Sequence, residues 1–164
     1  MFRQALIIGV GLLGSSLALA LKKFEVANKV VGYSRSPETV RKALKLGIIE
    51  GGSSNPNDFV KDSDLIVFCV PLSNYAETAE KISESLKSNA VLTDVGSVKQ
   101  IVIDQALPKL SPKQRSLFVP GHPIAGSEKS GPEAGTADMF VGKQVILTPV
   151  EQTNKAICNK IEQM

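Results

Sequence analysis

The 164-residue chain has no tryptophan, one histidine, two cysteines and only 5% aromatic residues. Cys69 and Cys158 lie far apart and lack the spacing of metal ligands, so we expect no metal site and a reducing, cytoplasmic location. Long hydrophobic runs are also missing, since the apolar stretch at residues 65–70 is too short to span a bilayer. The apolar run at residues 5–9 ends in a glycine-rich turn rather than a small-residue cleavage site, so we expect no secretory signal.

The chain also lacks a strong charge bias. Its 19 basic and 16 acidic residues are well mixed and give a net charge of +3, with no long run of Lys or Arg. This pattern argues against a nucleic-acid partner. No internal repeat or low-complexity tract is visible, and the length and 43% hydrophobic content predict one domain with its own core.

What the chain does contain is an alternation of apolar and amphipathic segments. Strands are predicted at residues 5–8, 29–33, 65–70, 90–94, 117–119 and 145–147. Helices are predicted near residues 12–24, 37–46, 73–87 and 98–107. Because the strands are apolar throughout rather than alternating, we expect burial on both faces of a parallel sheet. The order predicts an α/β fold with a doubly wound, mostly parallel sheet, a Rossmann-type dinucleotide-binding domain.

Local signals refine this picture. Ser36 and Pro37 predict a helix start, and Gly47 predicts its end. Residues 51–57 have the composition of a turn, and residues 120–142, with five glycines and three prolines, predict a long loop with a short helix. We assign residues 1–150 to the dinucleotide-binding domain. Residues 151–164 are predicted to begin a helix.

The strongest local motif is a glycine signature that follows the first strand and opens an apolar helix. The motif comprises Gly9, Val10, Gly11, Leu12, Leu13 and Gly14. Gly9 permits the tight turn, Gly11 lets the backbone approach a pyrophosphate, and Gly14 lets the helix pack closely on the strand. The N-terminus of that helix favours a negative phosphate, so we expect these six residues to bind a dinucleotide.

The end of the second strand predicts which dinucleotide is bound. An NAD site would place a carboxylate about 20 residues beyond the last glycine, where this chain has Ser34. Ser34, Arg35 and Ser36 offer hydroxyl groups and a guanidinium to a 2′-phosphate, and no carboxylate occurs before Glu38. We therefore expect NADP as the preferred cofactor, with NAD possible. The alternative is that Arg35 is an ordinary solvated loop residue.

Two further strand ends should face the same crevice, because ligands of such sheets gather at the carboxyl edge. The backbone at Val70 and Pro71 is expected to line the nicotinamide ribose. Ser97 is expected to cap the following helix and is also a candidate to contact cofactor or substrate. Asp94 is either a functional group or a residue that holds a loop through backbone hydrogen bonds.

The lone histidine, His122, lies in a glycine- and proline-rich segment. An imidazole can accept a proton near neutral pH, and beside a redox nucleotide it indicates an enzyme that removes a hydride and a proton from one hydroxyl group. The alternative is a turn or core histidine with no chemical role.

Three segments in order along the chain, residues 9–14, 94–99 and 121–128, together resemble prephenate/arogenate dehydrogenases, the oxidative enzymes of tyrosine biosynthesis. Residues 129–135 are similar to the cyclohexadienyl dehydrogenase branch. The resemblance implies that His122 is the catalytic proton acceptor, that Ser97 hydrogen-bonds near the histidine and the reacting hydroxyl, and that Ser127 and Glu128 border the substrate pocket. It implies prephenate or arogenate as substrate and a homodimer for the full-length protein.

The chain departs from the family in two ways. Ser34 and Arg35 replace the acidic residue common in NAD-using members, and the chain stops where the family continues into a helical domain that carries a substrate-binding arginine and most of the dimer interface. Two other hypotheses remain open at this point. One is a different Rossmann-type dehydrogenase, of the 3-hydroxyacid or pyrroline carboxylate type, and the other is a non-catalytic NADP(H)-binding module.

Overall fold

The computed structural model describes residues 1–164. Six parallel strands form one sheet in the order β3-β2-β1-β4-β5-β6, and two further strands form a separate antiparallel pair. The strands are β1 (Ala5–Ile8), β2 (Val30–Tyr33), β3 (Gly51–Ser53), β4 (Leu65–Phe68), β5 (Val91–Asp94), β6 (Phe118–Val119), β7 (Gly121–Pro123) and β8 (Val145–Leu147). The helices are α1 (Leu12–Lys23), α2 (Pro37–Lys45), α3 (Asn57–Val60), α4 (Tyr75–Ser83), α5 (Lys99–Ala106), α6 (Pro112–Arg115) and α7 (Lys155–Glu162). The α/β doubly wound prediction is confirmed.

The central strands are buried on both faces because helices cover both sides of the sheet. Along β1, Leu6 and Ile8 belong to a core shared with α4 and α5, whereas Ala5 and Ile7 belong to a core shared with α1 and α2. All four side chains are fully buried. The continuous apolar pattern of these strands follows from these two cores, since alternate side chains point to opposite faces.

The predicted ends of α2 are confirmed. The Ser36 hydroxyl accepts a hydrogen bond of 3.2 Å from the Thr39 amide, and Pro37 occupies the first turn. Gly47 follows the helix with a φ of +65°, a conformation that glycine adopts without strain. The predicted capping role of Ser97 is wrong, because α5 begins after Val98 and no side chain caps it.

Residues 51–53 are a strand, not the turn that their composition predicts. They form β3, which pairs in parallel with β2 at the edge of the sheet. A side chain at Gly52 would put its Cβ 2.6 Å from Val40 Cγ1, so close packing under α2 accounts for the glycine. The sequence pattern also did not predict the short helix α3.

The predicted long loop at residues 120–142 begins with a strand. β7 pairs antiparallel with β8, and His122 lies opposite Ile146. The predicted strand at residues 145–147 therefore exists, but it is not part of the parallel sheet, and Val145 is 54% exposed. The predicted short helix in this region corresponds to a single 3₁₀ turn at Pro132–Ala134.

The last segment packs on the same sheet. Thr153 Oγ1 donates a 3.0 Å hydrogen bond to the Phe118 carbonyl, Asn154 caps α7, and Ile161 is buried in the core beneath α1. The helix predicted after residue 151 thus forms part of this compact unit. None of the helices combines the length and apolar character needed to cross a membrane.

Candidate functional site

A cavity of about 360 Å³ opens at the carboxyl edge of the parallel sheet, over the ends of β1, β2 and β4. Eight of the twelve predicted cofactor residues line it: Gly9, Val10, Gly11, Ser34, Arg35, Ser36, Val70 and Pro71. The other four, Leu12, Leu13, Gly14 and Ser97, do not line this cavity. The first three of them form the start of α1, directly after the glycine turn.

The three glycines of the turn differ in whether the surrounding protein leaves room for a side chain. A Cβ at Gly14 would lie 1.9 Å from the Gly9 carbonyl oxygen, and a Cβ at Gly9 would lie 2.6 Å from the Cys69 carbonyl oxygen. A Cβ at Gly11 would meet no protein atom within 4 Å. Gly9 and Gly14 are therefore explained by packing, whereas the open space beside Gly11 fits the close approach of a phosphate.

The N-terminus of α1 suits an anion. No side chain caps the helix, and its first turn contains no acidic residue. The first amides of a helix lack intrahelical acceptors, and the helix dipole places partial positive charge there. These amides can hold the pyrophosphate of a dinucleotide. The start of α1 therefore fits the predicted cofactor.

The end of β2 forms the other side of the cavity. The Ser36 amide donates to the Ser34 hydroxyl at 3.3 Å, while the Ser36 hydroxyl is engaged as the cap of α2. Arg35 is exposed and belongs to none of the ion pairs in the structure. Its guanidinium is thus available to a ligand at the adenosine end of the cavity.

Ten lining residues were not predicted from the sequence: Tyr33, Thr39, Pro56, Cys69, Asn74, Glu77, Thr78, Lys81, Gly131 and Pro132. Glu77 and Lys81 share one face of α4 at i, i+4 spacing, a signal that the sequence offered. Gly131 and Pro132 come from the glycine-rich loop, which is tied to α1 by a 3.1 Å hydrogen bond from the Thr136 amide to the Ser16 hydroxyl. Burial, and then Asp94, raises the pKa of the Cys69 thiol, so this cysteine stays protonated.

Asp94, the last residue of β5, organises the neighbouring part of the edge. Its Oδ1 accepts a 3.0 Å hydrogen bond from the Gly121 amide. Its Oδ2 accepts from the Tyr75 hydroxyl at 3.0 Å, from the Gly96 amide at 2.7 Å, and from the Lys99 ammonium. The carboxylate is fully buried. The interpretation of Asp94 as a residue that holds a loop is therefore confirmed.

Lys99 completes this arrangement and was missed as a site residue. Besides pairing with Asp94, its ammonium donates to the Gly121 carbonyl, so both backbone groups of Gly121 are bound. Burial lowers the pKa of Lys99, and the Asp94 carboxylate opposes this effect. The pKa of the Tyr75 hydroxyl is raised by burial and then by Asp94, which keeps it a hydrogen-bond donor. His122 follows Gly121 directly on β7.

The remaining predicted residues are less constrained. His122 is half-buried, and its imidazole takes part in no hydrogen bond. Ser97 is exposed, three residues beyond β5, and no hydrogen bond joins it to His122. Ser127 and Glu128 are exposed on the loop after β7, where the Ser127 hydroxyl accepts from the Lys129 amide at 3.3 Å. None of these four residues lines the 360 Å³ cavity.

The sheet, the glycine turn and the uncapped helix at the cavity define a dinucleotide-binding domain of the dehydrogenase type. The family model described as "Prephenate dehydrogenase, nucleotide-binding domain" matches residues 17–164. The chain belongs to the prephenate dehydrogenase family. No group of three or more His, Cys, Asp or Glu side chains is arranged to hold a metal ion.

Individual relatives agree with this assignment. Prephenate dehydrogenase of Bacillus subtilis is 35% identical over 97% of this chain and 43% of its own length. Cyclohexadienyl dehydrogenase of Zymomonas mobilis is 36% identical over 93% of this chain and 51% of its own length. The crystal structure of Aquifex aeolicus prephenate dehydrogenase with hydroxyphenyl propionate and NAD+ is 36% identical, has a TM-score of 0.90, and matches 99% of this chain and 56% of its own.

The chain spans about half the length of the relatives it matches. Enzymes of the two other dehydrogenase types considered above are much less similar. A Plasmodium falciparum pyrroline carboxylate reductase shares 15% identity with a TM-score of 0.65, and a Ralstonia eutropha 3-hydroxybutyryl-CoA dehydrogenase shares 18% with a TM-score of 0.71. These likenesses show a common fold and nothing more, so the alternative dehydrogenase types are not favoured.

The two glycines Gly11 and Gly14 should respond differently to alanine. We expect Gly11→Ala to leave stability within about 0.5 kcal/mol of the wild type, because its methyl group meets no protein atom. The same methyl group should weaken nucleotide binding by about ten- to hundredfold, because it occupies the space a pyrophosphate needs. Gly14→Ala should destabilise the fold by about 1–3 kcal/mol. Urea unfolding and nucleotide titration of both variants measure the contrast, and normal nucleotide affinity in Gly11→Ala would refute the assignment of the turn.

Lys99 should contribute strongly to stability. We expect Lys99→Met to lower the free energy of unfolding by about 3 kcal/mol, because it leaves the buried Asp94 carboxylate without its counter-ion. The matched control is Lys109→Met, which removes an exposed ion pair with Glu80 and should cost less than about 1 kcal/mol. Denaturant unfolding of the two variants gives the comparison, and equal losses would contradict the central role given to Lys99.

Proposed function

We propose that this chain is the nucleotide-binding half of an NAD(P)-dependent dehydrogenase of tyrosine biosynthesis. The reaction is the oxidative decarboxylation of prephenate to 4-hydroxyphenylpyruvate, of arogenate to tyrosine, or of both. The observation that carries the proposal is the position of His122, which the Asp94–Lys99 pair anchors through Gly121 at the same sheet edge as the nucleotide cavity.

The order of the strands indicates in which direction the bound cofactor extends across the sheet. Ser34, Arg35 and Ser36 at the end of β2 suit the adenosine ribose, and the turn after β1 suits the pyrophosphate. The nicotinamide half then extends the opposite way, over β4 towards β5, which lies two strands or about 10 Å from β1. His122 is anchored to the end of β5, so this direction brings the nicotinamide towards the imidazole.

The chemistry needs one base and one hydride acceptor. The oxidised nicotinamide supplies the acceptor for the hydride that leaves the ring carbon bearing the hydroxyl. His122 accepts the proton of that hydroxyl, and the loss of CO2 then makes the ring aromatic. Because aromatisation drives the reaction, the main contribution of the protein is alignment and an unprotonated base.

The other substrate contacts belong to the same proposal. We propose that Ser97 contacts the reacting hydroxyl and that Ser127 and Glu128, on the loop after β7, border the substrate. Hydroxyphenyl propionate in the Aquifex aeolicus complex resembles the aromatic product 4-hydroxyphenylpyruvate, which supports prephenate as the substrate. A Synechocystis arogenate dehydrogenase, 27% identical with a TM-score of 0.87, supports arogenate as the second possibility.

The preferred cofactor is proposed to be NADP(H). The support comes from Ser34, Arg35 and Ser36, which present hydroxyl groups and an uncompensated guanidinium at the position where NAD sites carry a carboxylate. The NAD+ in the Aquifex aeolicus structure supports NAD as an acceptable cofactor of the family.

The assembly and location are part of the proposal as well. Two free cysteines, both half-buried, support a reducing cytoplasm. The homodimer proposed for the full-length protein rests on the family resemblance. A non-catalytic NADP(H)-binding module is the weaker alternative, because the similar relatives carry the names of dehydrogenases.

Removal of the imidazole should separate chemistry from binding. We expect His122→Asn in the full-length protein to lower kcat by about two to four orders of magnitude, because the general base is lost. Nucleotide affinity should stay close to that of the wild type, because His122 does not line the nucleotide cavity. Steady-state turnover of prephenate and arogenate, with a nucleotide titration as control, tests this. Wild-type turnover in the variant would reject the catalytic role.

Cofactor preference can be measured directly on this chain. The wild type should bind NADPH more tightly than NADH, and Ser34→Asp should reverse the order, because a carboxylate repels a 2′-phosphate and accepts hydrogen bonds from ribose hydroxyls. The chain has no tryptophan, so the fluorescence of the reduced nucleotide can be followed with little protein background. Tighter binding of NADH by the wild type would contradict the preference.

A further inference from the structure

One ion pair of the protein lines the nucleotide cavity. Lys81 Nζ and Glu77 Oε1 are 2.6 Å apart on consecutive turns of α4, and both residues line the cavity. Their side chains remain 50% and 57% exposed, so the pair adds little to stability and is free to rearrange.

Arg35 lines the same cavity as this pair. The only charged residues that line the cavity are Arg35, Glu77 and Lys81, which together carry one net positive charge. The pKa of Glu77 is lowered first by its hydrogen bond with Lys81 and to a smaller degree by Arg35, so the three charges act on one another. Arg35 lies between Ser34 and Ser36 after β2, at the adenosine end of the cavity.

The same helix provides a contrasting pair. Glu80 of α4 pairs with Lys109 at 3.1 Å, and neither residue lines the cavity. The two pairs share their chemistry and exposure and differ in what they face. The position of the Glu77–Lys81 pair therefore gives it access to a ligand, which the Glu80–Lys109 pair lacks.

We propose that Lys81 binds the 2′-phosphate of NADP(H) together with Arg35, and that Glu77 competes with this phosphate for the Lys81 ammonium. This inference rests on the NADP(H) preference proposed above and adds a second cation from a different element. A 2′-phosphate carries up to two negative charges, so a single guanidinium leaves it incompletely neutralised. Glu77 weakens binding of the phosphate by competing for Lys81.

The experiment compares dissociation constants of NADPH and NADH for the 164-residue chain and its variants. Lys81→Gln should weaken NADPH by about three- to tenfold and leave NADH unchanged, because one charge-assisted contact is lost. Glu77→Gln should strengthen NADPH by about two- to threefold, because the competing carboxylate is removed. Glu80→Gln and Lys109→Gln, which make the same charge changes outside the cavity, should alter neither constant.

Competition with 2′,5′-ADP and 5′-AMP isolates the phosphate. Lys81→Gln should weaken 2′,5′-ADP and leave 5′-AMP unchanged, and Arg35→Gln serves as the reference for loss of phosphate binding. If the wild type prefers NADPH and Arg35→Gln loses that preference while Lys81→Gln keeps it, the role of Lys81 is overturned and the cofactor preference stands. Equal weakening of NADPH and NADH by Lys81→Gln also overturns it. If the wild type shows no preference for NADPH, the proposed preference fails and the inference fails with it.

Discussion

Asp94 ends β5 with a carboxylate that is shielded from solvent, and its four donors come from four parts of the chain. A buried carboxylate without partners costs several kcal/mol, so each donor is held in place by the need to satisfy it. One of them is the Gly121 amide, and the Lys99 ammonium binds the carbonyl of the same residue. The position of β7, and with it His122, depends on this cluster.

The cofactor side of the site depends on a different constraint. The turn after β1 is packed so tightly that Gly9 and Gly14 admit no side chain, and the backbone there has one arrangement. Gly11 is the exception, with open space beside it. Different interactions therefore hold the two parts of the site. Close packing of glycine backbone fixes the turn after β1, and a buried ion pair fixes the end of β5 and Gly121. β4 lies between them in the sheet.

The sequence predicted the features that depend on local pattern. The apolar strands, the glycine turn and the Ser36–Pro37 helix start all follow from residue types within a few positions, and the structure has each of them. β3 was missed because glycine composition indicates a turn, and only packing against Val40 explains glycine in a strand. The strand β8 was predicted, but its membership of a separate hairpin depends on pairing with β7, more than 20 residues earlier.

The site residues show the same contrast between local sequence pattern and long-range contacts. The sequence motifs located the glycine turn, Ser34–Ser36 and Asp94, which lie at strand ends. Lys99 and Lys81 were missed as site residues because their roles depend on what the fold brings near them. Lys99 reaches Gly121 across 22 positions of sequence, and Lys81 and Arg35, from different elements, line the same cavity only in the folded chain. Long-range contacts of single side chains leave no periodic signal, so the sequence alone does not reveal them.

The central claim is that His122 lies beside the nicotinamide of a dinucleotide held at the glycine turn. Because the chain has one histidine, its imidazole gives a single, unambiguous set of carbon-bound proton signals in an NMR spectrum of the 17.5 kDa protein. Titration with NADP+ should shift these signals and give cross-relaxation to nicotinamide protons, whereas 2′,5′-ADP, which lacks the nicotinamide, should leave them in place. Imidazole signals that NADP+ does not move, or that both ligands move equally, would contradict the claim.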